Sequence, residues 1–156
     1  MARPHNETKA NLAAEAEIAD QLIKCIQKMR RVGDRWIKNP VPPYTIDMSL
    51  FDGQNIVGFF ECKQRTQASD TFLTVYIAAH KIVSAITLAE VMDLPVWFVW
   101  RWSDGIVCVQ QATYPEFVTW DGNNRGQFGD KEPVGHYSIQ SMLKFEMLAG
   151  EVVWVE

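Results

Sequence analysis

The chain has 156 residues, 47% of them hydrophobic, and a formal net charge of −4. That length suits one domain with a sizeable core, and so apolar a composition excludes a disordered protein; no apolar run reaches the length of a membrane span, and none follows the charges of MARPHNETKANLAAEAE as a signal peptide requires. The acidic balance does not advertise a nucleic-acid binder, so such a role needs a local basic patch, which Lys24, Lys28, Arg30, Arg31, Arg35 and Lys38 form with only Asp34 interrupting.

From about Thr8 to Met29 the pattern is helical, with Leu12, Ala19, Leu22, Ile26 and Met29 on one stripe. Glu15 falls inside that stripe and is expected to face the protein. Glu17 falls with Asp20 and Lys24 on the side expected to face water. Gly33 ends the helix. Arg35–Lys38 reads as a short strand around Trp36 and Ile37, and residues 39–43, with three prolines, as an extended connector. Thr45, Asp47 and Ser49 then alternate with Ile46, Met48 and Leu50, the period of a half-buried strand. Asp52-Gly53 is a hairpin turn signal. Ile56 to Lys63 is an apolar strand that ends with Glu61 and Lys63 two residues apart, hence on one face.

A polar loop over 66–71 leads to a predicted second long helix, Phe72 to Met92, carrying His80 and Lys81 mid-helix and closed by Pro95. Val96 to Trp102 reads as a central strand buried on both faces, with Trp97, Trp100 and Trp102 in the core. Ser103-Asp104-Gly105 is a turn into a partner strand, Ile106 to Ala112. Thr119 to Pro133 is predicted as a long surface loop, whose Arg125 could touch substrate. Ile139 to Leu148 is predicted as a short helix capped by Ser138, and Val152 to Val155 as a last edge strand. Cys25, Cys62 and Cys108 lie far apart without metal-ligand spacing and are expected as free thiols in a reducing, cytoplasmic compartment. The order αβββαβ predicts an α/β fold: a mixed sheet with helices on both faces and a right-handed crossover. All of 1–156 is expected to form one domain, with a core over about 8–112 and a C-terminal extension over 113–156.

Burying charged groups without partners is costly. A chain that sets Asp47, Glu61 and Lys63 at the ends of two paired apolar strands is expected to use them. Phosphodiester hydrolysis needs a hard cation held by oxygens, with a water made nucleophilic beside it. Two carboxylates on neighbouring strand ends supply the oxygens, and a lysine can orient the water or stabilise charge on phosphorus. Glu15 is a natural fourth group.

Asp47 followed by Glu61-Cys62-Lys63 resembles the D…(D/E)-x-K signature of the PD-(D/E)XK nucleases, and the order of elements from about Asn11 to Trp102 resembles their restriction-endonuclease-like core. Ile46 replaces the proline that often precedes the Asp. The chain is similar to small nuclease-like proteins of phage and archaeal-resolvase type. The resemblance implies a DNA endonuclease dependent on Mg²⁺ or Mn²⁺. In it Asp47, Glu61, the Cys62 main-chain carbonyl and Glu15 hold metal, and Lys63 is the catalytic lysine. Lys81 or His80 reaches the site or a phosphate, and Arg65, Arg35, Lys38 and Arg31 are candidate DNA contacts. With little room for a target-recognition domain, structure-specific or weakly sequence-specific cutting is expected, as in DNA repair or recombination, on DNA or on RNA. A homodimer would serve to cut both strands.

Plainer readings stand beside these. Glu61 and Lys63 could be an edge ion pair, Glu15 and the Lys24–Lys38 cluster solvated faces, His80 a satisfied helix histidine and Lys81 a snorkelling side chain. Cys62 is expected in the core on the face opposite Glu61. Two rival functions remain: a catalytically silent member of the fold that binds nucleic acid or protein, and an interaction protein using Trp36, Trp120 and the C-terminal helix.

Overall fold

Backbone hydrogen bonding in a computed structural model, which describes residues 9–28, 35–38, 46–121, 132–148 and 151–154, organises the chain into two sheets and two α-helices. The order is α1 (Lys9–Lys28), β1 (Arg35–Lys38), β2 (Met48–Asp52), β3 (Asn55–Gln64), β4 (Thr74–Ala78), α2 (Ala79–Met92), β5 (Val96–Arg101), β6 (Ile106–Gln111), β7 (Phe117–Asp121), β8 (Glu132–Ser138), β9 (Leu143–Leu148) and β10 (Glu151–Trp154). Seven strands form one sheet, β1-β2-β3-β5-β6-β9-β10, and three form another, β4-β8-β7. β3 and β5 run parallel, from Phe59 beside Val96 to Gln64 beside Arg101, while the other pairs of the large sheet are antiparallel. A parallel pair needs a long return path, and β4 with α2 supplies it.

The large sheet separates two apolar clusters. On one face Phe60, Cys62, Val99, Val107 and Phe145 meet Ile18, Ala19, Leu22 and Ile23 of α1. On the other, Phe59, Val96, Phe98 and Trp100 meet Ile82 and Ala85 of α2 and Val75, Ile77 and Tyr137 of the small sheet. Burying each large aliphatic side chain of α1 contributes roughly 1.5–3 kcal/mol. Strands β3 and β5 are therefore covered on both sides, as their unbroken apolar runs predict. Trp36 of β1 packs against the α1 cluster and donates its indole N–H to Asp20, 2.8 Å away. No helix among the described residues is long and apolar enough to cross a membrane.

Three sequence expectations are corrected. The predicted helix from Phe72 begins only at Ala79: Phe72 and Leu73 lie in an exposed loop, and Thr74–Ala78 is a strand with Val75 and Ile77 buried. Residues 74–78 alternate with period two and carry β-branched and aromatic side chains, but their partner β8 lies some sixty positions on, outside any local window. The predicted loop from Thr119 to Pro133 is strand at both ends, in β7 and β8; residues 122–131, with Arg125, lie outside the described residues. The predicted helix over Ile139–Leu148 is one 3₁₀ turn, Ile139–Ser141, followed by β9, and Ser138 makes no side-chain cap. Leu, Lys, Glu and Met favour helix, yet pairing with β6 and β10 on both edges of β9 overrides that preference. "Helices on both faces" is accordingly refined: α1 covers one face, and α2 together with the small sheet covers the other. Among the described residues after 112, β9 and β10 extend the large sheet and β7 and β8 belong to the small one.

Two glycines mark where backbone must fit. Gly53 turns the β2–β3 hairpin at φ +62. Gly135 lets β8 approach α2: a Cβ there would lie 2.4 Å from Ile82 Cδ1 and 2.9 Å from Pro115 Cβ and Cγ. Gly135→Ala should destabilise the protein by about 1–3 kcal/mol through overpacking, read as a lowered midpoint in urea; an unchanged midpoint would show that Pro115 and Ile82 yield without cost.

Candidate active site

Asp47 lies one residue before β2, and Glu61 lies on β3 one residue beyond Phe60, the last in-register partner of Met48. The antiparallel register thus sets Asp47 opposite Glu61 at the open end of the hairpin, where cross-strand partners share a face. Each carboxylate binds the other's stretch of backbone. The Asp47 amide donates to Glu61 Oε2 at 2.9 Å, and the Cys62 amide donates to Asp47 Oδ2 at 3.3 Å.

The other Glu61 oxygen faces two ammoniums. Lys81 Nζ, from the first turn of α2, is 3.0 Å from Oε1, and Lys63 Nζ is 3.5 Å from it. Glu61 is only 1% exposed, whereas the side chains of Lys63 and Lys81 are 33% and 15% exposed. Burial alone pushes the Glu61 carboxyl up; Lys63, then Lys81, then the Asp47 amide outweigh it and hold the group below its ordinary 4.5. Ser49, also buried, stands two residues from Asp47 on β2 in register with Phe59, a residue of the same cluster as α2. Its alternation with Asp47 was visible in the sequence, but its burial was not.

The remaining candidates are placed as follows. Cys62 turns its thiol into the α1 cluster, on the face opposite Glu61. Glu15 is half-buried on α1, one turn before Ile18 and Ala19. Glu17, expected to face water, is 62% exposed but pairs with Arg101 of β5 at 2.8 Å. His80, beside Lys81, is exposed. Arg65, two residues beyond Lys63, donates to the Tyr76 carbonyl at 3.2 Å and lies 5.8 Å from the centre of that ring. Arg35 donates to the Gly53 carbonyl and covers the Phe51 ring at 4.6 Å, which puts it at the turn end of the hairpin, away from the carboxylates. Arg31 lies outside the described residues, and the structure describes Lys38 only as the last residue of β1. Trp100 and Trp102 are buried in the core and Trp97 is half-buried.

Among the described residues no three His, Cys, Asp or Glu side chains converge as a ready-made metal cage. What converges is a carboxylate pair beside a main-chain strand end, and these are hard oxygen donors. Such a set suits Mg²⁺ or Mn²⁺, which bind through one or two carboxylates and keep several waters.

A parallel β3–β5 pair carrying Glu61-x-Lys63, with an aspartate on the neighbouring antiparallel strand, fits the D…(D/E)-x-K pattern of the PD-(D/E)XK class. The profile of the family described as "phage putative PDDEXK endonuclease" matches residues 1–145, and the chain belongs to that family. Among solved structures it is similar to Hjc, a Holliday junction resolvase from the archaeal hyperthermophile Archaeoglobus fulgidus, at 13% identity and a TM-score of 0.46, over 76% of this chain and 80% of that one. No curated protein sequence matches the chain.

The Glu61 ion cluster predicts an acid-labile contribution to stability. Its folded-state pKa is lowered, so the contribution is present above the ordinary value of 4.5 and lost as pH falls through the lower folded value. In EDTA buffer, unfolding free energy should fall more steeply in acid for wild type than for Glu61→Gln. Lys81→Met removes one of the lowering partners, brings the folded value back toward the ordinary one, and should make that fall smaller. Superimposable profiles for the three proteins would mean that the cluster does not hold the charge.

Proposed function

We propose that the protein is a divalent-cation-dependent endonuclease that hydrolyses DNA phosphodiester bonds. The observation that carries this reading is the convergence of Asp47, Glu61 and Lys63 at one end of the β2–β3 hairpin. Asp47, Glu61 and the Cys62 carbonyl would hold Mg²⁺ or Mn²⁺, with Glu15 as the helix-borne acid. When bound, such a cation supplies an activated water and a Lewis acid for a phosphoryl oxygen.

The chain's own groups do the rest. The β3–β5 scaffold fixes Glu61 so that its carboxylate needs no reorganisation. Lys63, a third exposed, can hold the attacking water or neutralise charge building on the phosphoryl oxygens. Lys81 keeps Glu61 ionised and is close enough to contribute a hydrogen-bond donor to a phosphate. Arg65 and His80 flank this end, while Arg35, Lys38 and Arg31 are more distant contacts for a duplex backbone. Cutting by structure, or with weak sequence preference, suits a site whose nearby contacts are cations and rings. Paired cuts on two strands would follow from a two-fold dimer. A cytoplasmic site of action, in a bacterium carrying a phage, fits a family described from phage. The paired state of Glu61 Oε1 also suits a silent relative that binds nucleic acid without cutting.

Supercoiled, branched and single-stranded DNA incubated with Mg²⁺, Mn²⁺ or EDTA separates the two. Wild type should nick only with a divalent cation, and Asp47→Ala and Lys63→Ala should each lower the rate by about a hundredfold or more. Equal cutting by all three would identify a contaminant or a different site, and cation-independent binding without nicking would establish the silent binder. Glu15→Gln should slow cutting with an unchanged melting temperature; a wild-type rate would remove Glu15 from the site.

A further inference from the structure

The outer face of the small sheet carries a row of rings that the hydrolytic site does not use. Tyr76 of β4, His136 of β8 and Phe117 of β7 are cross-strand partners, so they stand side by side on one face. Tyr76 and His136 ring centres are 5.7 Å apart; His136 and Phe117 are stacked at 4.4 Å and 10°. The imidazole is pinned at both nitrogens, by the Thr119 hydroxyl at 2.7 Å and the Thr74 hydroxyl at 3.4 Å. The stack ends on Phe117, which is 47% exposed and lies on an edge strand. Scattered exposed aromatics are ordinary; three aligned across separate strands, with the middle one fixed by two hydroxyls, form a rigid platform.

The platform joins the carboxylate end of β3 through cations. The Arg65 amide continues the parallel ladder by donating to the Arg101 carbonyl at 2.8 Å, so Arg65 extends the alternation that carries Glu61 and Lys63. Its guanidinium covers Tyr76 at 5.8 Å. Lys63, Arg65, Tyr76, His136 and Phe117 thus form a connected series, cations first and rings after, leading away from Glu61.

We propose that this series binds an unpaired DNA strand, with phosphates along Lys63 and Arg65 and a base stacked on Phe117. Cationic side chains followed by aromatic faces are how single strands are held without regard to sequence, and a paired base has no free face for such stacking. The reading rests on the proposal that the substrate is DNA, and it makes that proposal narrower: the preferred substrate has unpaired nucleotides beside the cut, as at a flap, fork or branch.

The test is fluorescence anisotropy of labelled dT12 and of a labelled 12-base-pair duplex, in EDTA and at low salt. Wild type should bind dT12. Phe117→Leu, which keeps apolar bulk but removes the ring, should weaken dT12 binding by about tenfold and leave duplex binding unchanged. Phe117→Trp should restore it, which a variant that merely misfolds would not do. Thr119→Val, which unpins the imidazole, should fall between. No dT12 binding by wild type, equal dT12 binding by Phe117→Leu, or equal losses on dT12 and duplex would each overturn the proposal. So would a changed oligomeric state in Phe117→Leu with dT12 binding intact, since the rings would then be a contact between copies. Ring-dependent dT12 binding by a protein that cuts nothing would leave this proposal standing and remove the hydrolytic one; cutting that ignores Phe117 would do the reverse.

Discussion

A carboxylate at 1% exposure is the constraint around which this fold is built. Glu61 sits on a central strand, beneath a helix and beside tryptophan and phenylalanine side chains, where an unbalanced charge would cost several kcal/mol. Its balance requires three separate parts of the chain at once. The strand itself brings Lys63, the preceding strand brings the Asp47 amide, and α2 brings Lys81. An isolated hairpin would hold the first two but not Lys81. The charged centre therefore forms only when the β3–β4–α2–β5 passage is in place. The same requirement pins the hairpin register: a slip of one residue on β2 would turn Asp47 away from Glu61 and put Met48 and Leu50 on the wrong face.

The alternation of β3 divides labour between its two faces. Phe60 and Cys62 turn toward α1 into a cluster of aliphatic and aromatic groups. Glu61 turns toward α2, and its neighbour on β5 is Phe98, whose face carries Trp100 and Tyr137. Both faces are packed, and the charged cluster lies on the second. Cys62 belongs to both: its thiol is core, while its main-chain amide orients Asp47. A substitution that respects the thiol's volume would leave that amide in place, so Cys62 matters to the site through its backbone.

How much of this was legible follows from what was local. Asp47, Glu61 and Lys63 could be placed because a hairpin with a turn signal fixes its own register within twenty residues. The same was true of β5, whose aromatic and β-branched run can only be a buried strand. The second helix was half read. From Ala79 on, the periodicity and the Pro95 stop were correct, but Thr74–Ala78 needed β8 to become a strand, and nothing nearby announces that partner. The end of the chain failed for the same reason, since β9 is held on both edges by strands that its own residues do not specify. The interface rival lost ground with it: the C-terminal helix it needed is a strand, and Trp36 is tied to Asp20 and packed on the core, which leaves Trp120. Lys81 or His80 was expected to reach the site or a phosphate; in the structure the Lys81 ammonium lies on Glu61 Oε1.

Net charge limits how such a protein can find an anionic polymer. At −4 the field of the whole chain repels DNA, so long-range steering does not help association. Recognition must act at contact distance, within about 8–10 Å at ordinary salt. The basic groups that matter are then those held in fixed places beside the carboxylates: Lys63 and Lys81 on Glu61, and Arg65 on Tyr76. β4 is the part of the fold that makes this arrangement possible. Inserted between β3 and α2, it draws β7 and β8 up beside the Glu61 end of the sheet and gives Arg65 a carbonyl and a ring to rest on. A direct β3-to-α2 connection would still deliver Lys81, yet it would leave the strand end with charge alone, and charge alone does not separate one DNA structure from another. The small sheet, with Phe117 exposed on its edge strand, is the element that adds rigid surface beside those charges.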